Sequence, residues 1–153
     1  MVQTFSNNNS IYSVDMMFAY LKQNSYPITK INMEEYLDTL EYQGWGDPGK
    51  NIHYSALDVI NNPKKYTDDY KRILKADLSY PIIISDEGYI VDGVHRLSKA
   101  YLEKKEEISA YIFDKNLMEK FKLLDKTDDA WDKIDNMKIY EIINLYHQRF
   151  CSK

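Results

Sequence analysis

The chain has 153 residues, 44% of them hydrophobic and 29% charged, with only five Gly and four Pro. That balance excludes disordered and fibrous classes and suits a single domain, residues 1–153, burying roughly two-thirds of its unfolded surface. The formal net charge of -4, from 24 acidic against 20 basic residues, provides no general positive field for a polyanion, so nucleic acid is not an expected partner.

No apolar run approaches the roughly 20 residues of a membrane span, and the first ten residues have no basic segment followed by an apolar one. The single Cys151 has no partner for a disulfide or a metal cluster. A cytoplasmic protein of a reducing compartment, without membrane association, is therefore expected. Arg occurs only at 72, 96 and 149, while Lys, Ile, Asn and Tyr are abundant. This is the bias of a low-G+C genome, and it makes each Arg more informative.

In chain order, Ile11, Val14, Met17, Phe18 and Leu21 have the spacing of a short amphipathic helix over 11–23. Residues 26–33 alternate enough for a strand, and Glu34 and Glu35 open a short helix. The stretch 43–49 holds three of the five Gly and reads as a loop, with the character of a lid. Ser55-Ala56-Leu57-Asp58 reads as a capping box for a helix ending near Pro63, and Thr67-Asp68-Asp69 as the cap of another running to about Ala76. Residues 80–85 form a buried β-branched strand, Asp86-Glu87-Gly88 a hairpin turn, and Tyr89-Ile90-Val91 its returning strand. A further strand is expected over 109–113, then helices over 117–124 and 133–150. The fold class that follows is α+β, a mixed sheet surrounded by helices. Its motif core covers 80–114, and a helical C-terminal extension covers 115–153.

The polar residues Asp92, Gly93, His95 and Arg96 crowd the corner where the strand gives way to a helix with Val94, Leu97, Ala100 and Tyr101 on one face. A helix N-terminus presents unpaired N–H groups and the positive end of the helix dipole, so it suits an anion such as phosphate. Gly93 lets backbone approach a ligand, Arg96 offers a planar fork, and His95 a donor whose charge follows pH. On spacing alone, the same residues also read as an N-cap, a turn and two solvated side chains.

The run Ile82-Ile83-Ile84, the segment from Gly88 to Arg96 that ends Asp92-Gly93-Val94-His95-Arg96, Ala100 and the strand at 108–112 resemble the core motif of the ParB/sulfiredoxin-like superfamily. The resemblance covers residues 80–114, about a quarter of the chain. It implies that the corner binds the phosphates of ATP, ADP or CTP, with Gly93, His95 and Arg96 as the phosphate-binding residues. The chemically closest members are free-serine kinases, which use an Asp-Gly-His-His-Arg corner and a Glu after the first strand. That likeness implies Asp92 as base or Mg²⁺ ligand and Glu34 or Glu35 as a second acid. Val94 stands where sulfiredoxin-type reductases carry their reactive Cys, so sulfinic acid repair is excluded. A helix-turn-helix and a dimerisation domain find no room in so short and acidic a chain, and Glu103-Lys104-Lys105 lies on a helix rather than on the strand a nuclease motif needs. Two readings stand. One is a nucleotide-dependent phosphotransferase or hydrolase acting on a small-molecule or protein acceptor. The other is a non-catalytic nucleotide-binding or protein-interaction module.

Elsewhere, His53 and His147 lack partners at metal-ligand spacing and read as surface residues. The 14 Tyr read mostly as packing. Trp45 reads either as a base-stacking residue or as a packing plug. Asp114, Asp125, Asp128 and Asp129 read as solvated or capping charges.

Overall fold

Ile82, Ile83 and Ile84 are each at most 2% exposed, as a β-branched run covered on both faces should be. The structure in which they sit, a computed structural model, describes residues 2–151. The chain packs into two compact units: Pro27–Ile112, and the two chain ends up to Tyr26 and from Phe113.

The unit Pro27–Ile112 is built on a four-stranded mixed sheet of β3 (Thr29–Asn32), β8 (Glu107–Ile112), β6 (Ile82–Ile84) and β7 (Ile90–Asp92), in that order. The chain reaches β3 after three earlier elements of the other unit, β1 (Thr4–Ser6), β2 (Ser10–Ser13) and α1 (Val14–Gln23). β3 runs antiparallel to β8, β8 parallel to β6, and β6 antiparallel to β7. The β6–β7 turn closes through Gly88 N–H to the Ser85 carbonyl at 3.0 Å and Ser85 N–H to the Tyr89 carbonyl at 2.9 Å. Between β3 and β6 lie α2 (Leu37–Glu41), the hairpin β4 (Trp45–Asp47) and β5 (Ile52–Tyr54), α3 (Ala56–Asn61) and α4 (Thr67–Lys75), with two short 3-10 turns, Met33–Tyr36 and Pro48–Lys50. Helix α5 (Val94–Leu102) links β7 to β8. The core joins Ile31, Leu40, Ala56, Ile82, Ile84, Leu97, Ala100 and Ile108. Burying each large aliphatic side chain contributes roughly 1.5–3 kcal/mol.

In the other unit, β2 is flanked by β1 and by β9 (Lys122–Asp125), both antiparallel. Helices α1, α6 (Lys115–Phe121), α7 (Ala130–Asp135) and α8 (Ile139–Tyr146) complete it, and a π-type turn, His147–Cys151, follows α8. Tyr20, Tyr26, Phe113, Phe121 and Phe150 pack together with ring centroids 5.2 to 6.4 Å apart.

The α+β class agrees with the sequence reading, and several boundaries differ. The helix read over 11–23 starts at Val14, because the Ser13 hydroxyl accepts the Met16 N–H at 3.1 Å and caps it there. Residues 10–13 are instead a fully buried strand. Residues 43–49, read as a loop, supply one arm of a hairpin. Ser55 makes the expected capping box with Asp58, whereas Thr67 begins α4 without acting as its cap; its hydroxyl bonds the Lys64 carbonyl at 3.1 Å. The helix expected over 117–124 ends at Phe121, and 122–125 are a strand. The helix expected over 133–150 breaks at Asn136, whose amide bonds the Asp132 carbonyl at 2.8 Å, and restarts where Lys138 N–H donates to the Glu141 carboxylate at 2.7 Å. Among the described residues, no helix is long and apolar enough to cross a membrane.

Candidate functional site

The strand-to-helix corner forms where the sequence places it. Asp92 ends β7 opposite Ile83, Gly93 turns the chain, and α5 begins at Val94. Gly93 has φ +119, and a Cβ there would lie 2.4 Å from Ile82 Cγ2. Both backbone conformation and space therefore demand glycine. No side chain caps α5 and no acidic residue stands in its first turn. The first bond of the helix is Leu97 N–H to the Gly93 carbonyl at 2.8 Å, so the N–H groups of Val94, His95 and Arg96 have no acceptor from the helix itself.

Arg96 is already engaged. One guanidinium nitrogen donates to the carbonyls of Tyr80 at 3.2 Å and Pro81 at 2.7 Å; the other donates to the Asp92 carboxylate at 2.5 Å. The side chain staples the entry of β6 to the corner, and it neutralises the one carboxylate that would repel an anion there. The pair follows the i,i+4 spacing of helix ion pairs.

His95 points elsewhere. Its ring stacks on the Trp45 indole, with centroids 4.8 Å apart and planes 20° apart, and its Nε2 is buried with no hydrogen-bond partner. Burial holds the imidazole below its ordinary pKa; Asp69 and Asp92 pull it up, and Arg72 and Arg96 push it down. Trp45 also packs on the core and meets Tyr54 edge-on at 6.4 Å. Tyr54 in turn stacks on Tyr66 at 4.3 Å and donates its hydroxyl to Asp69. That hydrogen bond, first among the causes, pushes the Tyr54 phenol up to about 12. Trp45 is thus engaged as packing and as a cover on His95.

Glu34 and Glu35 are both exposed, in a 3-10 turn just past β3. Glu34 lines a groove of about 660 Å³ with Tyr101, Leu102, Lys104 and Lys105, at the C-terminal end of α5. Asp92 is level with Ile83 and Tyr111, while Asn32 is level with Glu107, on the far edge strand. At about 3.3 Å per residue and 4.8 Å per strand, that register separates them by roughly 20 Å. The structure thus brings together Asp92, Gly93 and Arg96, turns His95 toward the hairpin, and leaves Glu34 and Glu35 apart from them. Their distance from the corner gives them no shared step with Asp92.

Phosphate suits the uncapped first turn of α5. Mg²⁺ does not suit Asp92, whose carboxylate is bonded to the Arg96 guanidinium. Among the described residues, no group of three or more His, Cys, Asp or Glu is placed to hold a metal ion. Sequence reasoning missed the Trp45–Tyr54–Tyr66–Asp69 cluster. Its members lie far apart in the chain, and Asp69 reads equally well as a cap. Comparison with protein-family models, with curated proteins and with solved structures finds no match for this chain.

Proposed function

We propose that the β7–α5 corner binds the phosphate groups of a nucleotide, ATP, ADP or CTP, and that the protein is a nucleotide-binding module resembling the ParB/sulfiredoxin-like superfamily. The observation that carries this reading is the uncapped N-terminus of α5, entered through a glycine that the backbone requires, beside a carboxylate already neutralised by Arg96. Phosphate oxygens would accept from the N–H groups of Val94, His95 and Arg96, with Gly93 allowing their approach. Arg96 holds Asp92 and the 80–81 backbone in place, so it acts as a positioning residue whose charge also favours the anion.

The binding reading is preferred to phosphotransfer because Asp92, the carboxylate at the corner, is already engaged by the Arg96 guanidinium. Thermal unfolding with ATP, ADP, CTP, GTP and inorganic phosphate tests it: a ligand at 100 times its Kd adds about 2.7 kcal/mol of stability. Stabilisation by none of them overturns the proposal. Asp92→Asn separates the two readings. A binding module keeps or gains nucleotide affinity when the charge is removed, whereas a phosphotransferase still binds but loses turnover by roughly 10² or more. Turnover that falls in this way in the variant would replace the binding reading with the enzymatic one.

A further inference from the structure

The hairpin β4–β5 forms a two-stranded sheet of its own and, among the described residues, pairs with no other strand. An isolated two-stranded hairpin is marginal in water, so its side-chain anchors decide its position. There are two such anchors. Both lie at the open end of the hairpin, where Trp45 and Tyr54 stand opposite each other: Tyr54 stacks on Tyr66 and bonds Asp69 of α4, and Trp45 lies over His95, in the first turn of α5, and packs on the core. The residues between, 46 to 53, are all exposed.

The His95 anchor depends on the charge of the ring. A neutral imidazole can leave Nε2 as a bare lone pair, but an imidazolium carries N–H donors on both nitrogens. Here Nε2 is buried with no partner. The groups facing the ring are Asp69 and Arg72 of α4, Asp92 at the end of β7, and Arg96 of α5. Both acids are already committed, Asp69 to the Tyr54 hydroxyl and to Arg72, Asp92 to Arg96. The two arginines oppose a third positive charge. A cation stacked on indole gains some attraction, but less than is lost by leaving a charged donor buried and unpaired.

We propose that the Trp45–His95 stack is a proton-operated latch at the open end of the β4–β5 hairpin, which releases the Trp45 ring from the first turn of α5 when His95 is protonated, while the Tyr54–Tyr66–Asp69 contacts beside it stay in place. The latch stands whether or not the corner binds phosphate. The sign follows from burial: the closed state holds His95 below its ordinary value, so below about pH 6.5 the open state binds more protons and is favoured as pH falls. The Tyr54 anchor does not titrate in that range, since its phenol ionises near 12.

The test follows Trp45 fluorescence in a Trp131→Phe background, titrated from about pH 8 to about pH 4.5. Release moves the Trp45 emission to longer wavelength and raises its quenching by acrylamide, reversibly and with unchanged far-UV circular dichroism. His95→Phe, which can stack but cannot titrate, keeps the emission of the closed state throughout. An emission that stays constant with pH in the parent, or a transition that survives in His95→Phe, overturns the latch. Wild-type chain supplies a check that needs no variant at position 95. In NMR titrations the Trp45 indole N–H and the His95 ring protons must move with one midpoint, and two separate midpoints also overturn the proposal.

Discussion

At the scale of single residues, Gly93 and Gly88 separate two reasons for needing glycine. Both have positive φ, +119 and +88. Nothing lies within 4 Å of a Cβ built at Gly88, whereas one built at Gly93 meets Ile82 Cγ2 at 2.4 Å and Ile82 Cβ at 2.7 Å. Gly88→Ala should therefore cost only the backbone strain, about 1 kcal/mol. Gly93→Ala should cost that strain plus the displacement of a fully buried Ile82, together about 2–5 kcal/mol. Chemical denaturation of the two variants measures the difference, and equal losses would mean that Ile82 yields freely. Part of this corner is legible in the sequence: the clustering of Asp92, Gly93 and Arg96 marks a strand-to-helix turn, and the i,i+4 spacing of Asp92 and Arg96 is that of an ion pair. The aim of His95 is not legible. It is set by Trp45, fifty positions earlier, through a ring contact that leaves no periodic signal.

At the scale of elements, local signals held where the bonds that decide an element are local. The box at Ser55 is the clearest case, with Asp58 N–H to the Ser55 hydroxyl at 3.1 Å and Ser55 N–H to the Asp58 carboxylate at 2.9 Å. Ser55→Ala should lower the melting temperature through a loss of about 1 kcal/mol, and Ser55→Asp should recover most of it if capping is the cause. Since Ser55 is only 4% exposed, failure of Asp to rescue would assign the loss to packing instead. Strand β9 shows the opposite situation. Lys122-Leu123-Leu124-Asp125 could as well end a helix, and what makes it a strand is β2, through Ile11 opposite Leu124 and Ser10 opposite Asp125. Pairing across more than a hundred residues has no trace in a local window. The break between α7 and α8 was readable in principle, because Asn136 is a frequent helix terminator and Glu141 stands three residues after Lys138.

At the scale of the whole molecule, the two units differ in how the chain supplies them. A chain without a Gly- or Ser-rich linker reads as one domain, yet all four strands of the mixed sheet and its buried core lie within the unbroken stretch Pro27–Ile112. The other unit is assembled from both ends, with β2 hydrogen-bonded to β9. A contiguous unit with its own core should fold alone, whereas the C-terminal end by itself lacks β2, the partner of its strand β9. A fragment comprising 27–112 is therefore expected to unfold cooperatively, with a stability of order 5 kcal/mol by the usual per-residue scale. Its NMR spectrum should be dispersed and include a shifted Trp45 indole N–H, the mark of the ring stacked on His95. A fragment of 113–151 should be largely unfolded, because β9 without β2 is an unpaired strand. A coil spectrum from 27–112, or a cooperative transition from 113–151, would show that the cores of the two units do not stabilise them separately.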